Sequence, residues 1–91
     1  MLTVHKFALD TRTQVITLPS WRRFRSVGVQ HLVPVVYYEV DTTYPSITLT
    51  IQAIPTGEEV PRGATYLGSV QVETTVDTLK YLVWHIYEVP A

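Results

Sequence analysis

Hydrophobic and polar residues alternate with a period of two along most of this chain, and the alternation breaks at turn-forming clusters. Ser46 to Ile54 is the clearest stretch. Ile47, Leu49, Ile51 and Ala53 share one side, and Thr48, Thr50 and Gln52 share the other. One dry face and one wet face is the pattern of an antiparallel strand. The last stretch, Leu79 to Val89, is different. Leu79, Tyr81, Val83, His85, Tyr87 and Val89 alternate with Lys80, Leu82, Trp84, Ile86 and Glu88, so large apolar groups occupy both faces through its middle. A strand of this kind needs cover on both sides and is predicted to be central.

The other segments read in the same way. Leu2 to Leu9 is a first strand, with Phe7 and Leu9 on one face and Val4 and Ala8 on the other. Asp10-Thr11-Arg12 is a polar connection. Gln14 to Leu18 is a second strand, ended by Pro19-Ser20. The cluster Trp21-Arg22-Arg23-Phe24-Arg25 leads into a third strand, Arg25 to Gln30, with Val27 and Val29 inward and Gly28 marking a bulge or a close neighbour. His31-Leu32 is a tight turn into Val33 to Val40, where Tyr37 and Tyr38 take opposite faces. Asp41 to Pro45 is loop, Pro55 to Ala64 is the longest loop, and Tyr66 to Glu73 is a sixth strand. Thr74 to Thr78 turns the chain into the last strand. No window shows helical periodicity, and the strands follow too closely for crossover helices. The predicted fold is one all-β domain of about seven antiparallel strands, connected mostly as a meander, in a small sandwich or partly closed barrel.

Composition narrows the function classes. At 91 residues the chain suits a single domain, and 46% hydrophobic against 16% charged residues suits a packed one. Its net charge of −1 lacks the basic excess of a duplex-DNA binder. There is no cysteine, which removes disulfides, thiol catalysis and zinc–thiolate sites. The N-terminal residues do not form a signal peptide, and no run reaches the roughly 18 apolar residues of a membrane span. A soluble cytosolic protein is expected.

Four stretches together resemble a known family. They are Lys6-Phe7; Gln30 with Pro34 and the acidic end of strand four at Asp41; Thr56-Gly57 with Tyr66-Leu67-Gly68; and Leu82-Val83-Trp84-His85-Ile86-Tyr87-Glu88. In this order they resemble an uncharacterised family of small all-β proteins of tailed bacteriophages and prophages, a domain of unknown function. The likeness covers essentially the whole chain. It implies a phage origin and the cytoplasm of a bacterial host, and it implies no reaction. This chain departs from the family pattern twice. Leu32 stands where a glycine usually follows the His31 position, and Trp21 to Arg25 replaces small residues.

The sharpest candidate site is that same cluster, Trp21, Arg22, Arg23, Phe24 and Arg25, which holds three of the seven basic residues. Its plainest reading is rim packing with solvated arginines. A protein contact comes next, since Trp and Arg dominate binding hot spots. Single-stranded nucleic acid, held by stacking and charge, comes third. His5, His31 and His85 have no metal-ligand spacing, and His85 is expected as a half-buried, hydrogen-bonded core residue. Glu58-Glu59 reads as solvated loop, and Ser20, Ser26, Ser46 and Ser69 have no histidine near in sequence. No catalytic residue, metal or cofactor is expected. The expected function is non-enzymatic protein–protein interaction with a host or defence protein. Single-stranded nucleic-acid binding is the second reading, and a structural or self-assembling virion-associated protein, relying on strand edges or exposed tyrosines, is the third.

Overall fold

The computed structural model describes residues 1–73 and 81–90. They form seven strands: β1 (Leu2–Ala8), β2 (Thr13–Pro19), β3 (Arg22–Gln30), β4 (Val33–Asp41), β5 (Ser46–Pro55), β6 (Thr65–Glu73) and β7 (Tyr81–Val89). All pairings are antiparallel. One sheet runs β1-β4-β3 and the other β2-β5-β7-β6. The two are not closed into a barrel, so the fold is a small sandwich. The predicted turn at Thr74–Thr78 and the start of the last strand at Leu79 and Lys80 lie outside the described residues.

The expected meander holds at only two places, the β3–β4 and β6–β7 hairpins. β1 pairs with β4 (Leu2 opposite Asp41), β2 with β5, and β5 with β7. Alternation fixes which side of a strand is wet, but leaves open which strand lies beside it. β7 is central in its sheet, but the cover expected on both faces is found on one: Trp84 and Ile86 pack against the core, whereas Tyr81, on the other face, is 56% exposed.

The core lies between the sheets. Val36, Tyr38 and Val40 of β4 meet Ile16 and Leu18 of β2, Ile51 and Ala53 of β5, and Ile86 of β7. Phe7 and Phe24, on the strands flanking β4, set their rings edge-on to Tyr38 at 6.3 and 5.7 Å. That is a favoured aromatic geometry. Trp84 is half-buried and packs against this cluster.

Two bulges shape the edges. The β3–β4 register shifts at Arg25, between Phe24 opposite Tyr38 and Ser26 opposite Tyr37. The β6–β7 register shifts at Leu67, between Tyr66 and Gly68. The predicted bulge at Gly28 is therefore displaced to Arg25. A Cβ at Gly28 would meet only ordinary contacts, at 3.5 Å from Tyr37 and 3.7 Å from Val35. Val29, expected inward, is 42% exposed because it sits at the tip of the hairpin, where the facing sheet covers it less. The tip itself, His31-Leu32, has φ of 52° and 64°. Two positive φ angles in a two-residue loop make a type I′ turn, whose twist matches the strands.

Candidate functional site

Trp21 precedes β3, and Arg22, Arg23, Phe24 and Arg25 belong to that strand, not to a lead-in segment. Alternation therefore splits the cluster between two faces. Phe24 turns inward against Tyr38. Arg22 also turns inward, where its guanidinium lies 3.5 Å from Glu88 of β7 and donates to the Ser20 carbonyl. Glu88 accepts a hydrogen bond from Tyr38 at 3.2 Å. Burial, then the charge and hydrogen bond of Glu88, raise the Tyr38 hydroxyl above the usual phenol range, against the opposing pull of Arg22. Arg25, on the bulge, binds the Glu39 carboxylate through Nε at 2.7 Å and through a second nitrogen. Arg23 alone of the three has no ion pair among the described residues. It lies over the half-buried Trp21, 5.9 Å from the ring centroid.

Asp41 closes this end of the sandwich. Its carboxylate accepts the Thr43 hydroxyl at 2.7 Å and the Thr43 N–H at 3.0 Å, and the N-terminal ammonium lies 3.5 Å away. These contacts, the Thr43 hydroxyl first, hold Asp41 below the usual carboxylate range. A carboxylate whose folded-state value is depressed contributes stability above its unfolded value of about 4. That contribution is lost as pH falls through the lower folded value. Asp41→Asn is expected to lower Tm at neutral pH and to flatten the acid limb of the Tm profile, measured by thermal melts between about pH 2 and 7. An acid limb unchanged by the substitution would contradict the cap.

A second feature lies at the opposite end of β4. A cleft of about 210 Å³ is lined by Leu9, Asp10, Thr11 and Arg12 after β1, by Leu32, Val33 and Pro34, and by Ala53 and Trp84. Trp84 is held by Arg12, whose guanidinium lies 5.8 Å from the ring centroid. Arg12 is in turn ion-paired to Glu58. The Pro55–Ala64 loop thus starts at this end, away from Trp21. Leu32 sits on the rim, 57% exposed and in the left-handed region. Leucine there costs roughly 1–2 kcal/mol relative to an ordinary backbone conformation.

A third group is a polar chain on the outer face of the second sheet. Tyr66 shares a hydrogen bond with Ser69 at 2.6 Å, Ser69 with Nδ1 of His85 at 2.7 Å, and Nε2 of His85 with Thr56 at 2.8 Å. Ser69 and His85 are directly opposite in the β6–β7 register. Sequence reasoning missed this pair because 16 residues separate them, and only strand register brings them together. The imidazole bears on a threonine hydroxyl and not on the carboxylate that would hold an imidazolium in a triad. The chain fastens the loop after β5 onto β6 and β7. Among the described residues, His5, His31 and His85 join no group of three or more metal-ligating side chains.

Over residues 1–91 the chain matches the family described as "Domain of unknown function (DUF7352)", and it belongs to that family. No curated protein and no solved structure matches it.

Proposed function

We propose that this member of the DUF7352 family is a phage-encoded accessory protein that acts without catalysis, in the cytoplasm of the bacterial host, by docking a host or defence protein. The observation that carries the reading is the Trp84–Arg12 cleft with Leu32 on its rim. Trp and Arg in a concave, part-apolar setting are the residues that dominate protein–protein hot spots. Leu32 keeps a conformation that glycine would adopt without strain. A side chain retained at that cost, and exposed, supports a role in contact with a partner.

The Trp21–Arg23 pair is a second contact point at the far end of the molecule. It supports single-stranded nucleic-acid binding less well, because Arg22 and Arg25 are committed to Glu88 and Glu39 and leave Arg23 to meet phosphate.

Leu32→Gly separates stability from docking. The variant relieves the left-handed strain and is expected to gain about 0.5–1 kcal/mol, a rise of roughly 2–8 °C in Tm. It is also expected to lose any host protein that the parent retains in a lysate pull-down. Arg23→Ala, run alongside, reports on the other end. A partner held equally by the parent and Leu32→Gly would remove the cleft from the reading, and salt-sensitive retention on single-stranded DNA would favour the nucleic-acid alternative.

A further inference from the structure

The four edge strands of the sandwich differ in how their backbones meet solvent. An antiparallel strand bonds its neighbour through alternate residues and turns the N–H and C=O of the others away. In β1 the bonded set is fixed by the register. Leu9 N donates to Pro34 O, and Thr42 N donates to Met1 O, both continuing the pairing of Leu2 with Asp41. Met1, Thr3, His5, Phe7 and Leu9 therefore bond to β4. Leu2, Val4, Lys6 and Ala8 point their backbone groups outward, and among the described residues no strand lies there.

The other three edges are blunted. On β2, Ser20 N bonds Pro45 O and Ala53 N bonds Arg12 O, so the outward set is Thr13, Val15, Thr17 and Pro19. Pro19 has no N–H to offer, and the Thr13 carbonyl already accepts the Thr11 hydroxyl at 2.7 Å. β3 carries the Arg25 bulge with Arg23 and Arg25 exposed. β6 carries the Leu67 bulge and lies against β3, where Val27 meets Gly68. Bulges, prolines and charges are the usual guards of a sheet edge. β1 has only Lys6, whose ammonium is bonded to Gln30 of β3 and so reaches across the sheet, away from the edge. Leu2 and Val4 are 58% and 56% exposed.

We propose that β1 pairs with β1 of a second copy, about a twofold axis at His5, to join two three-stranded sheets into one. The outward set is symmetric about His5. Leu2 then faces Ala8 of the second copy, and Val4 faces Lys6, so each free backbone group finds a partner and apolar side chains meet Ala8 and the Lys6 stem. An axis at Lys6 would set two lysines directly opposite each other, and an axis at Val4 would leave Ala8 without a partner. His5 falls in a non-hydrogen-bonded position, where opposing Cα atoms are about 4.5 Å apart. One strand pair buries less than the roughly 1,200–2,000 Å² of a stable interface, so the dimer is reversible. The proposal does not depend on the Trp84 cleft.

Light scattering after size exclusion is the first test. The mass is expected to rise toward twice the monomer with concentration, and Val4→Lys is expected to stay monomeric with Tm within a few degrees of the parent. The second test uses the absence of cysteine. His5→Cys is expected to form a disulfide-linked dimer under mild oxidation at least tenfold faster than Thr17→Cys on the β2 edge, since the proposed spacing is within disulfide reach. A monomer at millimolar concentration, a dimer indifferent to Val4→Lys, or equal cross-linking at both positions would overturn the proposal.

Discussion

Gly68→Ala is expected to lower stability by about 1–3 kcal/mol, the usual effect of forcing a methyl group into filled space. In a domain of this size that lowers Tm by roughly 5–20 °C. A Cβ at this position would lie 2.7 Å from Cγ2 of Val27, across the gap between the sheets. Val27 cannot simply withdraw, because it is a stiff β-branched residue packed against the core. The backbone of Gly68, at φ 158° beside the Leu67 bulge, is set by the strand pairing on either side. The clash therefore has to be relieved by moving β3 away from β6, where one side of the sandwich is closed. Adding Val27→Ala to Gly68→Ala should recover part of the loss. In a double-mutant cycle the coupling should reach at least about 0.5 kcal/mol. Additive effects, or a single variant that melts with the parent, would mean that the sheets do not meet there.

Ile86→Ala is the second large effect, a loss of about 2–5 kcal/mol in urea or thermal unfolding. Ile86 is fully buried, on the central strand β7, opposite Ala53 on one side and Gly68 on the other. Removing its side chain opens a cavity in the middle of the sheet, where neither neighbour is large enough to fill it. A domain of 91 residues has on the order of 5–13 kcal/mol in total, so the loss is at least about a sixth of it and can approach the whole. Val15→Ala, on the exposed face of β2 at 61% accessibility, is the control and should stay within about 0.5 kcal/mol. Similar losses at both sites would undermine the assignment of the core.

The strands themselves were readable because burial on one face leaves a period-two trace, as in Ile47, Leu49 and Ile51. Their partners were not, because nothing local tells β1 that it will lie beside β4. Glycine illustrates the same limit. Gly28 and Gly68 look alike in sequence, each inside a strand, yet only Gly68 faces an obstacle, and the obstacle comes from the other sheet. Of the candidate site, the Trp21 segment was visible as a cluster of chemistry. The start of β3 at Arg22 then divided that cluster between the core side and the outer face. The missing glycine at Leu32 was legible but left two outcomes open, a different turn type or a tolerated strain, and the φ of 64° there shows the left-handed one. Its closeness to Trp84 and Arg12 was not legible, since it arises where two turns and β7 converge. Two pairs of residues that carried the family resemblance prove to touch one another: Lys6 bonds Gln30, and Thr56 bonds His85.

The place of β7 between β5 and β6 sets when this protein can fold during synthesis. Until Tyr81–Val89 leaves the ribosome, the two halves of that sheet have no shared neighbour, and Ile51 and Ala53 have no lid from Ile86. The hairpin of β3 and β4 can form early, but the sandwich must wait for β7, the seventh strand in chain order. A nascent chain stalled before residue 81 should be open to proteases along most of its length, and release of the remaining strand should make it resistant in a single step.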